Sequence, residues 1–133
     1  MRTIKFRGLK PDGKGWVYGY FLKPYTECII VDSESDIKPP PYMVVIPESV
    51  GQFTGLKDKN GVEIYEGDMF IINGKVYFVE WGEDLAGFRL TTGKGYDSSN
   101  TLDFNCDSIY YSKAIGNIDE NEDLLNESTK DIK

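Results

Sequence analysis

The side chains best suited to chemistry in this chain are three carboxylates, Glu63, Glu66 and Asp68, close together in sequence. Such a cluster suits a divalent cation, or an acid–base pair in which one carboxyl keeps its proton beside an ionised neighbour. The usual companions of such a site are missing. The chain has no histidine, which removes the commonest general base, the commonest metal ligand and any Ser-His or Cys-His nucleophile. Asp68 follows Gly67 where the chain turns into an apolar run, and a carboxylate there commonly accepts hydrogen bonds from turn amides. A structural role for the three acids and no enzymatic activity are expected, with a carboxylate-based enzyme as an alternative.

Other ligand patterns fail on spacing. Asp58-Lys-Asn-Gly61 resembles the start of a calcium loop, but an EF-hand needs three oxygen ligands before a glycine at its sixth position, and Gly61 falls at the fourth. Two distant cysteines without histidine make no zinc site. Gly93-Lys-Gly95 is too short for a phosphate-binding loop. No metal and no cofactor are expected. Cys28 lies in the apolar run Glu-Cys-Ile-Ile-Val and reads as a buried thiol. Cys106 lies beside Asp107, whose charge would raise the thiol pKa rather than activate it.

The second group of interest is basic and aromatic. Arg2, Lys5, Arg7, Lys10 and Lys14 lead into Trp16 and Tyr18, and together they form the candidate interaction surface. Basic residues interleaved with aromatic ones suit a single-stranded nucleic acid or a peptide groove. Tyr20, Phe21, Tyr77, Trp81, Phe88, Tyr110 and Tyr111 extend the aromatic set, although most rings of this size are expected in the core or at a subunit contact. The formal net charge of −7 disfavours nucleic acid, whose phosphates such a field repels. The charge is uneven: residues 1–31 carry six basic side chains against two acids, a balance of +4, leaving −11 for the rest.

These residues need elements to hold them. The chain has 133 residues, of which 40% are hydrophobic and 14% aromatic, enough for a core without disulfides or metals. Thr3 to Arg7 alternates apolar with basic, as a half-buried strand does. Pro11 to Gly15 reads as a turn and Trp16 to Leu22 as the return strand. Cys28 to Val31 and Tyr42 to Ile46 are short strands. The loop 32–41 between them is acidic and ends in three prolines, which no sheet ladder accommodates. Pro47 to Val50 predicts a single helical or 3-10 turn. Further strands are expected at Gly51 to Thr54, Met69 to Ile72, Lys75 to Trp81, Gly87 to Leu90, Leu102 to Phe104 and Ile109 to Ile115. Asn60-Gly61 and Asn73-Gly74 supply tight hairpin turns. Both faces of Lys75 to Trp81 carry apolar residues, so that strand is expected to be covered on both sides. A loop is expected over Thr91 to Asn100. Asn117 to Asn126 predicts a short helix, capped by Asp119 or Asn121.

Several of these segments resemble, in order, the YopX family of phage and prophage proteins. Ile4-Lys-Phe-Arg-Gly-Leu-Lys10 with Gly15-Trp-Val-Tyr-Gly19 is similar to the family's opening. The strongest likeness is Val50-Gly-Gln-Phe-Thr-Gly-Leu-Lys-Asp-Lys-Asn-Gly-Val-Glu-Ile-Tyr-Glu-Gly-Asp68. Val79-Glu-Trp81 with Gly87-Phe88, and Ile115-Gly-Asn-Ile118 followed by Glu120-Asn121 and Leu124-Leu125, are similar to its later motifs. Tyr25 to Tyr42 and Thr91 to Asp107 lie outside the likeness. Gly67-Asp68 is kept, whereas Met69-Phe70 replaces a smaller aliphatic pair. The resemblance implies a mostly-β, SH3-like barrel and carries no reaction or catalytic residue with it.

The expected fold is therefore all-β: an N-terminal β-hairpin layer over 1–46, packed on an SH3-like barrel over 47–118, then a short C-terminal helix and frayed tail over 119–133. The expected function is that of a phage or prophage accessory protein, non-enzymatic, acting through protein–protein contacts as a homo-oligomer with an unidentified host or phage protein. A nucleic-acid-binding module on the basic hairpin is an alternative, as is an acidic decoy of a host nucleic-acid-binding protein. Residues 2–7 are charged with no apolar run after them, and no segment has the length of a membrane span. The host cytoplasm is the expected location.

Overall fold

Alternation of side chains decides the first strands. In the computed structural model, which describes residues 3–24, 26–94, 100–104, 113–121 and 123, β1 (Phe6–Leu9) and β2 (Trp16–Leu22) form the expected antiparallel hairpin. Its turn closes with Lys10 N donating to Gly15 O at 3.0 Å and Gly13 N to Lys10 O at 2.8 Å. The Asp12 carboxylate accepts from Lys14 N at 2.8 Å. β3 (Cys28–Val31) pairs with β2, and β4 (Tyr42–Val45) pairs with β3. The proline-ended loop 32–41 joins these two strands. A 3-10 turn (Pro47–Ser49) leads into β5 (Gly51–Lys57), which pairs with β1. The resulting order is β4-β3-β2-β1-β5.

The chain divides into two compact units, Met1–Gly55 and Leu56–Lys133. The first has a small core of Cys28, Ile30 and Val45, against which Phe6, Val17, Phe21 and Val50 pack. Phe6 and Phe21 meet at 5.6 Å between ring centroids. Two glycines make this core possible. A Cβ on Gly8 would lie 2.7 Å from the Val45 side chain, and the Val31 carbonyl fills the space a Cβ on Gly19 would need. Gly19 also has φ 154°, which few side chains accept.

The end of β5 turns at Asp58–Gly61 into β6 (Glu63–Tyr65), and β6 completes the first sheet's order beside β5. The two Asn-Gly pairs behave differently. Asn73 and Gly74 both have positive φ, 53° and 81°, as a two-residue hairpin turn requires. At Asn60-Gly61 only Gly61 is positive, at 80°. There Gly61 N donates to Asp58 O and Asp58 N to Val62 O, so the glycine follows a turn begun by Asp58.

A second antiparallel sheet is built from β7 (Asp68–Ile72), β8 (Lys75–Gly82), β9 (Gly87–Thr91), β10 (Thr101–Asp103) and β11 (Gly116–Asn117), in the order β10-β9-β8-β7-β11. Its core is Ile64, Phe70, Tyr77, Val79 and Leu90, flanked by Leu56, Ile72, Phe88, Leu102, Phe104 and Ala114. β8 is covered on both faces, as its sequence predicts: Tyr77 and Val79 are buried on one side and Val76 on the other.

Two expectations are corrected. The strands over 47–118 do not close into an SH3-like barrel: the sheets are open, and β5 sits between β1 and β6 in the first sheet. Over the expected helix 117–126 the described residues form no helical element: the stretch 116–121 is the short strand β11 and a turn, and of the described residues there only Asp123 is helical. Ile118 to Glu120 form a turn, and the cap position is filled by Asn117 rather than Asp119 or Asn121: Asn117 Oδ1 accepts from Asp119 N at 3.1 Å and Glu120 N at 2.9 Å. Residues 122 and 124–126 of the expected helix, and the core of the strand expected at 109–115, lie outside the described residues.

Candidate interaction surface

The β1–β2 hairpin places the candidate residues very differently from one another. Arg7 is only 6% exposed, and its guanidinium carbon lies 4.2 Å from the centroid of the Trp16 ring. Arg7 is opposite Tyr18 in the ladder and Leu9 opposite Trp16, so all four side chains share one face. Lys5 is half-buried, its ammonium 5.4 Å from the Phe53 centroid. Lys10 is half-buried beside the turn, and Lys14 is exposed at its tip. Arg2 lies outside the described residues. The hairpin thus brings Arg7, Trp16 and Tyr18 together, while Lys5, Lys10 and Lys14 do not form an open basic array with them.

The same face continues across the sheet. Trp16, Tyr18, Tyr20 and Leu22 alternate on β2. The register Tyr20↔Val31 and Leu22↔Ile29, then Ile29↔Val44 and Val31↔Tyr42, carries the face through β3 to β4. Its members are large and open to solvent: Tyr18 is 47% exposed, Tyr20 58%, Leu22 52%, Tyr42 66% and Val44 36%. The opposite face holds the core residues Phe6, Val17, Phe21, Cys28, Ile30 and Val45. The strand segments are therefore apolar on both faces; the outer face is closed over Arg7 and Leu9 at its β1 end and opens from Tyr18 on β2 towards β4. Tyr42 and Val44 were not singled out in the sequence; the signal available was that Cys28 to Val31 and Tyr42 to Val45 run apolar without alternation.

Of the other aromatic candidates, Tyr77 is buried. Trp81, Phe88 and Phe104 form an edge-to-face series at 5.1 and 6.0 Å in the second unit. Tyr110 and Tyr111 lie outside the described residues, as does Cys106.

The carboxylates of Asp58, Glu63 and Asp68 accept hydrogen bonds from neighbouring groups. Asp68 Oδ2 accepts from Tyr65 N at 2.9 Å, and Glu63 Oε1 accepts from Tyr65 Oη at 3.2 Å. Asp58 does more: Oδ1 accepts from Asn60 N at 2.8 Å and Val62 N at 3.0 Å, and Oδ2 accepts from Ala114 N at 3.2 Å. Burial works against the Asp58 charge, but the amides of Val62, Ala114 and Asn60, with Lys59 nearby, hold its pKa below the ordinary value. This carboxylate ties a hairpin to a segment distant in sequence. Among the described residues, no group of three or more His, Cys, Asp or Glu is placed to hold a metal ion. No helix among them is long and apolar enough to cross a membrane.

No curated protein matches the chain. The family model described as YopX protein matches it over residues 5–126, from the Lys5 end of the basic hairpin to beyond the Asn117 turn. The motifs shared with that family and this near-complete match agree, and the chain belongs to the YopX family.

Proposed function

We propose that this chain is a non-enzymatic accessory protein of phage or prophage origin that works through protein–protein contacts in the host cytoplasm, as a homo-oligomer with a host or phage protein as a further partner. The observation that carries the reading is the outer face of the first sheet. Tyr18, Tyr20 and Leu22 on β2 and Tyr42 and Val44 on β4 are all exposed there, joined in register through the half-buried Ile29 and Val31 of β3. A contiguous apolar patch of this kind marks an interaction surface more often than a stray exposed side chain does. Tyrosines suit such a surface, since each ring supplies large contact area with one polar end. A non-enzymatic role rests on the lack of histidine in the sequence and on the use of Asp58 and Asp68 as acceptors for backbone amides.

The test is a paired capture from infected or induced host cells, using the wild-type chain and Tyr18→Glu/Tyr20→Glu. The expected result is a protein retained by the wild type and lost with the double variant. Recovery of the same proteins by both overturns the assignment of the face.

A nucleic-acid module is the second reading, favoured by Lys14 at the hairpin tip on a basic N-terminal segment. The burial of Arg7 against Trp16 weighs against it. Binding to single-stranded DNA that weakens steeply with salt would favour it over the protein-contact reading.

A further inference from the structure

We infer that two copies of this chain pair edge to edge along β4, in antiparallel register about a two-fold axis at Met43, and so join their first sheets. The inference deepens the reading of a homo-oligomer and rests on it.

The argument begins with the backbone of β4. Asp32 N donates to Pro41 O at 2.9 Å, and the ladder continues as Val31↔Tyr42, Ile30↔Met43, Ile29↔Val44 and Cys28↔Val45. Hydrogen-bonded pairs alternate along an antiparallel ladder. With residues 32 and 41 bonded, the next bonded pairs are Ile30 with Met43 and Cys28 with Val45. Tyr42 and Val44 therefore direct their N–H and C=O groups away from β3. β4 is the terminal strand of its sheet, and no described residue pairs with that edge.

The edge is self-complementary. In a two-fold antiparallel pair centred on Met43, Tyr42 faces Val44 of the other copy and Val44 faces Tyr42, and each pair exchanges two hydrogen bonds. Pro41 at one end cannot donate, and Ile46 at the other already donates to Leu9 O at 2.9 Å. These features confine the pairing to a strand as short as β4 itself, which a second copy supplies. Edge strands are commonly protected by short length, proline, charges or a bulge; β4 is short and follows Pro41, but Tyr42–Val45 itself carries no charge and no proline. Instead Tyr42, Met43 and Val44 are 66%, 42% and 36% exposed.

Charge favours the same place. Two chains of net −7 repel each other, and most of the negative charge lies beyond residue 31. Residues 39–47 carry no charge, so this edge is a neutral approach within an acidic chain. Pairing also makes the outer face continuous across both copies, through Tyr42 and Val44. Edge pairing covers the exposed side chains of β4 itself, Tyr42, Met43 and Val44, while Tyr20 and Leu22 lie two strands away on β2. A standard interface buries roughly 800 Å² per partner. The contact is accordingly a weak, concentration-dependent dimer rather than an obligate one.

The experiment is light scattering coupled to size exclusion over a wide range of loading concentrations, on the wild type, Val44→Pro and Met43→Lys. Val44→Pro removes one outward N–H. Met43→Lys leaves every backbone group in place and sets two like charges opposite each other at the axis. Circular dichroism of each variant verifies its fold. The expected result is a wild-type dimer that grows with concentration, weakened by about tenfold or more in Kd by each variant, with high salt partly restoring dimerisation of Met43→Lys. A wild type that remains monomeric throughout overturns the homo-oligomer reading itself. A wild-type dimer untouched by Met43→Lys overturns the edge pairing alone and leaves self-association standing.

Discussion

Arg7 lies against the face of Trp16, 4.2 Å from guanidinium carbon to ring centroid, and is almost fully removed from solvent. The most prominent cation of the basic hairpin is thus part of the sheet. A guanidinium is the cation best suited to such a site, because its flat, weakly hydrated group stacks where an ammonium would not. Trp16→Ala uncovers it and removes the stacking. A loss of about 1–3 kcal/mol is expected from the cation–π contact and the lost burial together, read by urea denaturation. A change below about 0.5 kcal/mol, the scale of an ordinary surface substitution, contradicts this placement.

Ser49 joins the 3-10 turn to β1. Its Oγ accepts from Leu9 N at 2.8 Å and donates to Ile46 O at 2.6 Å, and it is buried. Ser49→Ala leaves a buried amide without that acceptor, with an expected cost of about 1–3 kcal/mol. Ser49→Thr, which keeps the oxygen, is expected to recover part of it. Equal stability of wild type and Ser49→Ala contradicts the assignment.

Asp58 predicts a pH dependence. Its folded pKa lies below the unfolded value of about 3.9. The stability it confers is therefore fully present above the unfolded pKa and is lost as pH falls through the folded one. Asp58→Asn is expected to be less stable than wild type near neutrality, and the gap to narrow as pH drops below about 4. Denaturation curves at a series of pH values check this; a gap that widens in acid contradicts it.

Gly19 tests the packing of β2 on β3. Gly19→Ala meets both the Val31 carbonyl and an unfavourable φ. A loss of more than about 3 kcal/mol is expected, at the severe end for single substitutions. Gly74→Ala has no such neighbour within 4 Å, and its smaller loss reports the φ strain alone. Equal effects at the two positions contradict the close approach at Gly19.

Much of the strand layout was legible because it is local. Trp16–Leu22 and Cys28–Val31 carry their own pattern, and Asn73-Gly74 supplies the backbone angles that its hairpin needs. Arg7 was misread as an outward charge, since alternation with Phe6 assigns a face but not what covers it. Asp58 was legible as a turn former but not as the acceptor for Ala114, because that contact joins residues 56 apart. The pairing of β5 with β1 was illegible for the same reason, since β1 is more than 40 residues away. The outer face was partly visible in Trp16 and Tyr18, and its other half on β4 emerged only with the register of β3.

The central claim is that the outer face of the first sheet makes the protein's contacts. Hydrogen exchange read peptide by peptide tests it most directly, comparing dilute chain with concentrated chain and with the partner recovered by capture. The account predicts slower exchange confined to β2, β3 and β4, with Tyr42 and Val44 among the most affected. Protection that appears only in the second unit, around β7 to β9, would contradict it.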